Sequence, residues 1–478
     1  MHKVFLRYRK NERIRRLRRV LLGTAGCILL LAAGFLCGRL SGPGSIAQQR
    51  TFAAVWRIMN ETWYWGKDHG NLSDFLMDSA LQGLAEHSED PFTNYLSKEQ
   101  ADAFYGALKG EYSGFGLQYL TDWRGQVFVV RVFENSSAER EGLRPGDQLI
   151  SVNGTRLTGL PAEELNAAFS SSEGEQAIFT LIRNGTEHTV SLTSETVDSS
   201  VFHRMENGIG ILTLSGFTTA GSDAVREKLE DLKAQGAQRL ILDLRGNGGG
   251  YTSALLKIAG CLLPPDTVVY KEEFRDGSVK ERRTAADSSP FSFEKVVVLV
   301  DGGTASSSEV LTAALREHLG AVVVGSTTYG KGVTQSSISL PNGSTLKYTI
   351  SKWLSPSGFS IHGEGITPDI EVPAHPIFKV SLSSIPEELS VAPDSVDDAA
   401  CAAQMALDYL GYTVDRTDGY FSTASSAALR QFQQAEGLPA DGLLTAQSLQ
   451  ALISACQLHF YLSAEDAPMQ RALEAAVQ

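Results

Sequence analysis

The sequence predicts a multidomain α/β and β protein. Three observations carry that expectation: a basic and then apolar N-terminal segment, a region of short strands with glycine turns, and a longer region where β-branched apolar strands alternate with helices. In chain order these give a basic tail at 1–19, an N-terminal transmembrane helix at 20–37, a helical arm at 51–109, a small β-barrel at 110–195, an α/β core at 196–392, a three-helix unit at 399–456 and a closing helix within 457–478. A chain of 478 residues is long enough for several domains with separate cores.

Residues 1–19 hold nine Lys/Arg against one Glu, so with a net charge of −13 overall the remainder stands at −21. A body that acidic argues against nucleic acid as a partner, because phosphates call for a basic surface. The 18 uncharged residues at 20–37 (VLLGTAGCILLLAAGFLC) have the length of a membrane-spanning helix. Their positive flank favours a cytoplasmic N-terminus, which places everything after Arg39 outside the cell membrane as a single-pass protein. A cleaved signal peptide with its site at Ser45-Ile46-Ala47 is the first rival, and a lipoprotein cysteine at Cys27 the second. The apolar run is long for the former, and most of it follows Cys27 rather than preceding it. Residues 41–49 (SGPGSIAQQ) read as a flexible spacer.

Five cysteines make no disulfide framework in a chain of this size. Cys27 and Cys37 fall in the apolar span and Cys261 in the core-like IAGCLL; Cys401 and Cys456 bracket the C-terminal unit, and their pairing stays open. In the helical arm, Phe52, Val55, Trp56, Met59 and Trp63 recur at helical spacing, followed by Phe75, Leu81 and Leu84. Such an arm suits a simple helical subdomain or a homodimer contact.

Gly114-Phe115-Gly116-Leu117 opens a strand with backbone N–H groups free to converge on a carboxylate, while the strand edge is free to pair with a peptide. About 20 residues downstream, Gly142-Leu143-Arg144-Pro145-Gly146-Asp147 runs into a strand ending at Asn153-Gly154. The two blocks in this order resemble the PDZ domains of bacterial proteases, which implies a PDZ β-barrel with Gly114, Phe115, Gly116 and Leu117 at its peptide site.

Three further segments carry chemistry. Asp243-Leu244-Arg245-Gly246-Asn247-Gly248-Gly249-Gly250 closes a buried strand, and positions without side chains let N–H groups approach a ligand closely. It matches no phosphate loop. Gly303-Thr304-Ala305-Ser306-Ser307-Ser308-Glu309 lies between a strand and a helix, where a serine has helix-start donors beside it. The plainer alternative makes the serines N-caps, with Glu309 completing a capping box. Tyr329-Gly330-Lys331-Gly332-Val333-Thr334-Gln335 wedges a lysine between glycines after the apolar AVVVG. Acting as a base requires its neutral form, and desolvation that lowers a lysine to about 7–8 costs roughly 3–5 kcal/mol.

With the PSG…GITPD…V pattern from Pro356 through Pro368-Asp369 to Val372, these segments are similar to those of the carboxyl-terminal processing peptidases, or tail-specific proteases. The resemblance covers residues 51–392. It implies an α/β protease core and a serine-type endopeptidase with Ser306 as nucleophile, three residues before Glu309 and 25 before Lys331. It further implies Lys331 as base, Gln335 orienting it, and Gly249 and Ser307 as oxyanion-hole N–H donors. Three positions depart from the family pattern: Thr304 for serine, Ser307 for alanine and Gly248 for proline.

Competing readings of these residues are weaker. His318 is a whole helix away from Ser306, roughly 18 Å at 1.5 Å per residue, while the spacing leaves His362 open as a triad base. Ser344-Thr345-Leu346-Lys347 fits a penicillin-binding S-x-x-K but lacks a K-T-G partner. No cofactor or metal is called for.

Residues 383–398 read as a linker. Beyond it, Leu410-Gly411-Tyr412, Asp418-Gly419-Tyr420-Phe421 and Gly437-Leu438-Pro439-Ala440-Asp441-Gly442 are similar to the three-helix peptidoglycan-binding domain, which implies either cell wall or a protein contact as its partner. Asp466 through Glu474 resembles the closing helix of the protease family, so the three-helix unit is expected to be an insertion. The expected activity is cleavage of polypeptides held by a C-terminus or an extended segment; a non-catalytic peptide-holding adaptor is the alternative.

Overall fold

The computed structural model describes residues 46–87, 89–198, 200–380, 385–463 and 466–478. The basic run and apolar span at 1–37 lie outside these, and among the described residues no helix is long and apolar enough to cross a membrane. The chain divides into two units, residues 1–97 and 98–478.

The first unit is built on α1 (Ile46–Thr62) and α2 (Leu72–Ala85). Helix α1 takes in the second half of the expected spacer, because helix-forming Ala47, Gln48 and Gln49 follow the last helix-breaking glycine, Gly44. It buries none of its residues, and Phe52, Val55 and Ile58 are each more than half exposed. Asn71 caps α2 by accepting the Asp74 N–H.

The second unit begins with α3 (Lys98–Lys109) and continues into a β-barrel. Its strands β1 (Leu117–Thr121), β2 (Val127–Val132), β3 (Gln148–Val152), β4 (Gln176–Arg183) and β5 (Thr186–Thr193) pair antiparallel in that order. Helices α4 (Ser137–Arg140) and α5 (Ala162–Phe169) complete it, around a core of Phe115, Val127, Leu149, Phe179 and their neighbours. Strand β1 is the sheet edge, as a peptide-adding PDZ fold requires. The Tyr119 ring stacks on Phe169 of α5 at 4.3 Å, and its hydroxyl donates to Asn166 at 3.1 Å.

The α/β core contains β6 (Val201–Glu206), β7 (Ile209–Leu214), α6 (Thr219–Ala234), β8 (Arg239–Asp243), α7 (Thr252–Ala259), β9 (Val268–Phe274), β10 (Val279–Arg283), β11 (Lys295–Val300), α8 (Ser307–Leu319), β12 (Val322–Gly325), β13 (Val333–Ser339), β14 (Thr345–Leu354) and β15 (Ile370–Glu371). The main sheet runs β6-β7-β8-β11-β12-β15, parallel throughout except for the β6–β7 hairpin. Its central strands are buried on both faces, which is why they read as unbroken Leu/Ile/Val runs rather than alternating ones. A second, antiparallel ladder runs β13-β14-β9-β10. The β9–β10 hairpin was not legible in the sequence, because β10 (VKERR) is exposed along its whole length and carries no apolar alternation.

The C-terminal unit holds α9 (Asp398–Tyr409), α10 (Thr423–Ala435) and α11 (Ala446–Leu462), and α12 (Ala467–Val477) closes the chain. The presumed linker contributes to the unit: Val391 is buried and pairs with Leu444, and Ser395 pairs with Phe421. Two buried glutamines build the unit by the same device. Gln404 donates to Tyr420 O and accepts the Gly419 N–H, and Gln433 donates to Leu443 O and accepts the Gly442 N–H, so each amide closes one Asp-Gly turn. Cys401 and Cys456 are free thiols, reaching the Thr417 and Ala406 carbonyls instead of each other.

Helix α12 packs Met469, Ala472, Ala475 and Ala476 onto Ile209, Ile211, Ile241, Val297, Leu299 and Val324 of the main sheet. The three-helix unit is thus inserted between two parts of the protease-like core. Elsewhere, His203 of β6 lies between Glu134, which follows β2, and Asp231 of α6, with Lys228 also on Glu134. Trp123 and Arg124 of the β1–β2 turn reach Glu436 of the C-terminal unit.

Candidate active site

Parallel strands β8 and β11 end side by side, so the loops that follow them meet. Asp301 stitches them together, its Oδ1 accepting the Gly246 and Gly303 N–H groups, both at 2.9 Å. Thr304, fully buried, donates its hydroxyl to the Leu244 carbonyl at 2.8 Å and accepts the Asp301 N–H at 2.9 Å. The departure from serine at this position therefore keeps the hydroxyl that the junction uses. Asn247, also fully buried, donates to Leu214 O at 2.7 Å, and its own carbonyl accepts both the Ala305 N–H and the Ser308 hydroxyl at 2.9 Å.

Ser306 sits where this junction turns into α8. Its backbone is at φ 63° and ψ −126°, a region costly for a residue with a Cβ, of order 1–3 kcal/mol. Sharp strand-to-helix turns of this kind present a nucleophile. The Ser306 N–H donates to Glu309 Oε2 at 2.8 Å, and the Glu309 N–H reaches the Ser306 carbonyl at 2.9 Å. Ser306 and Glu309 thus form the capping box that the sequence allows at the start of α8. Ser307 and Ser308 are not caps; their hydroxyls donate to the Gly250 and Asn247 carbonyls.

Glu309 does more than cap. It has no exposed surface, and its carboxylate also accepts the Lys331 N–H at 2.9 Å, the Gly330 N–H at 2.6 Å and the Thr328 hydroxyl at 2.5 Å. One Glu309 oxygen, Oε2, therefore holds the backbones of both Ser306 and Lys331. A buried charge is tolerable only with this many donors. Tyr329 adds a backbone bond to Thr304 at 3.0 Å. Burial, first, and then the like charge of Lys347 lower the Lys331 ammonium to about 8, against a smaller upward pull from Glu309.

Gly249 presses against the serine: a Cβ there would lie 2.6 Å from Ser306 Cβ, and its φ is +99°. Its N–H donates to Asn247 Oδ1 at 2.9 Å. The expected oxyanion donor therefore has an internal partner in this structure. Ser307, at the first turn of α8, presents one of the N–H groups a helix start leaves unpaired by the helix. Gln335 lies on β13 beside a break in register, its amide donating to Val333 O at 3.3 Å. A cleft of about 280 Å³ opens next to Gly249, lined by Phe104, Leu108, Ser215, Gly216 and Thr218 among others. His318 is turned to the Val268 carbonyl. Among the described residues no cluster suited to a metal occurs.

In the PDZ-like barrel, Phe115 and Leu117 turn their side chains into the core, leaving the backbone at the edge. Gly114 pairs with Glu195, and Gly116, at φ +82°, has its carbonyl tied to the Phe133 N–H at 2.9 Å. A side chain at Gly116 would collide with Ser136.

Sequence reading identified the three motif segments but not the roles of Asn247, Thr304 and Glu309 as joints between them. The Ser-x-x-Glu spacing signals a cap; the bond from Glu309 to Lys331 spans 22 residues and has no signal in spacing.

Three family models match the chain. Residues 208–372 match Peptidase family S41, residues 104–178 the PDZ domain and residues 397–452 the Putative peptidoglycan binding domain. The chain is 31% identical over 430 residues to a probable CtpA-like serine protease of Staphylococcus aureus (strain N315), covering 88% of this chain and 85% of the relative. It is 29% identical over 426 residues to the corresponding protein of Staphylococcus haemolyticus (strain JCSC1435), covering 88% and 84%. Among solved structures, the photosystem II D1 C-terminal processing protease aligns at a TM-score of 0.38 with 24% identity, covering 69% of this chain and 94% of that one. A putative S41 protease from Bacteroides fragilis NCTC 9343 aligns at 0.45 with 19% identity, covering 67% and 90%. With a fixed serine segment, an adjoining lysine segment and relatives of this extent, the chain belongs to the carboxyl-terminal processing peptidases, serine-type endopeptidases of family S41, with a PDZ domain and a peptidoglycan-binding-like unit.

Proposed function

We propose that this peptidase works through a serine–lysine dyad, Ser306 and Lys331, on extracytoplasmic polypeptides, anchored to the membrane by residues 20–37. The observation that carries the dyad is the shared grip of Glu309 Oε2 on both backbones. The lowered lysine supports it, because an amine near 8 is substantially neutral at mildly alkaline pH.

In the mechanism that follows, the Ser306 hydroxyl attacks a peptide carbonyl while Lys331 takes its proton and then delivers it to the departing amine. Water hydrolyses the acyl-enzyme with Lys331 again as base. The Ser307 N–H faces the developing oxyanion, and the Gly249 N–H joins it once it leaves Asn247 Oδ1. Gln335 orients the lysine. The PDZ edge strand β1 holds the substrate tail and, through the Glu134–His203–Asp231 contact, couples tail binding to the core. The C-terminal unit holds peptidoglycan. The acidic body after the basic tail fits an extracytoplasmic setting without nucleic acid.

Assays of wild type, Ser306→Ala and Lys331→Ala on casein and on a tagged polypeptide tail test the dyad. Each substitution is expected to lower kcat by about 10³-fold or more, non-additively. Cleavage that persists unchanged in Ser306→Ala overturns the nucleophile assignment.

A further inference from the structure

Arg245 is the last residue before the glycine-rich run that faces Ser306, and two carboxylates grip it at once. Its Nε and Nη2 donate to Asp243 at 3.0 and 2.8 Å, and its Nη1 and Nη2 donate to Asp466 at 2.8 Å each. Four hydrogen bonds to two carboxylates fix its orientation as well as its position. Asp243 is nearly buried and belongs to β8, the strand from which the loop departs. Asp466 comes from elsewhere in the chain: it is the N-cap of α12, accepting the Met469 N–H at 3.0 Å.

Docking of α12 does not by itself call for this clamp. The helix is held to the sheet by Met469, Ala472, Ala475 and Ala476. The clamp instead sits at the helix's first turn and takes hold of the stem of the loop. Beyond that stem, Asp301 holds the Gly246 N–H, Leu214, Ala305 and Ser308 hold Asn247, and the Phe217 N–H and Ser307 hydroxyl hold the Gly249 and Gly250 carbonyls, while the Gly249 N–H stays on Asn247 Oδ1 within the loop. Gly249 lies so close to Ser306 that a shift of a fraction of an ångström in the loop alters the space where a carbonyl oxygen would sit. Asp466 stands immediately before α12, the helix that follows the inserted unit in the chain.

We propose that Asp466 is a positioning residue of the peptidase: through Arg245 it fixes the 246–250 loop against Ser306, making catalysis conditional on the seating of the first turn of α12. The catalytic part of this inference rests on the Ser306 reading; the mechanical part does not.

The test uses the full chain carrying Asp466→Asn, which keeps an acceptor for the cap but loses the charge, with Arg471→Ala on the exposed outer face of α12 as control. Peptide cleavage is split into kcat and KM, and amide hydrogen exchange is followed in residues 246–250 and 295–300. The expected result is a fall in kcat of about 10- to 100-fold with KM within about twofold, the cost typical of a misplaced catalytic geometry. Exchange in 246–250 is expected to quicken about tenfold while that in 295–300 stays unchanged, since only local opening is affected. Arg471→Ala is expected to match wild type in both readouts. Unaltered kcat with unaltered exchange overturns the proposal. So does faster exchange in both segments with a melting point lowered to match, because that is simple loss of helix docking. If Ser306→Ala proves fully active, the nucleophile reading fails, while the exchange readout still decides whether Asp466 holds the loop.

Discussion

Glu309 shows how one side chain sets a site at the residue scale. Replacing it with glutamine keeps the shape but aims an NH2 at a ring of donors. Glu309→Gln is expected to lower kcat at least tenfold and to cost about 2–3 kcal/mol in denaturant melts, the penalty for leaving buried donors unmatched. Lys331 makes a pH prediction. In the proposed dyad activity requires its neutral form, so kcat is expected to rise through a midpoint near pH 8. Lys347 is a like charge that depresses Lys331; removing it in Lys347→Gln raises the Lys331 pKa and moves that midpoint to higher pH, measurable in a pH–rate series. The same depression opposes folding while the amine is charged in the unfolded chain: it weakens the fold below about 8 and is relieved as pH climbs toward 10.5. Lys331→Met is accordingly expected to be more stable than wild type at pH 7, by at most roughly 3 kcal/mol and less after solvent screening, and to lose that advantage near pH 10.5. The lysine could be singled out in the sequence because glycines flank it within a motif. Glu309 could be read only as a cap, because its second set of partners is brought to it by folding.

At the scale of elements, the site is a product of strand ends. Parallel β8 and β11 terminate in register, and the loops after them are short, so small residues are needed where they cross. Gly249→Ala tests this. Its Cβ would meet Ser306 at 2.6 Å in a backbone conformation suited to glycine, so activity is expected to vanish while circular dichroism stays native. The buried strands of the main sheet were legible from their apolar runs and the helices from their periodicity. The β9–β10 hairpin was not, since an exposed, charged strand leaves no pattern, and the α11 boundary at Leu462 overran its expected end at 456 because no breaker stops it there. Helix α12 is anchored mainly by small residues around one large one. Met469→Ala is expected to cost roughly 2–4 kcal/mol, seen as a lowered denaturation midpoint.

At the scale of the whole molecule, the second unit is a chain of coupled modules. The barrel touches the core through Glu134 and His203, and the C-terminal unit through Trp123, Arg124 and Glu436. Deleting residues 111–194 is expected to change the cleavage rate or the choice among tagged tails; an unchanged product profile in mass spectrometry would show the barrel to be dispensable. The modular order was legible because each module keeps its own motif. Which modules touch was not, because Trp123 and Glu436 lie 313 positions apart and neither stands in a motif.

The aromatic bridge from Tyr119 to Phe169 and Asn166 spans the slot between the barrel's edge strand and its neighbouring helix. A tail that pairs with the proposed edge would meet the Tyr119 ring already stacked there.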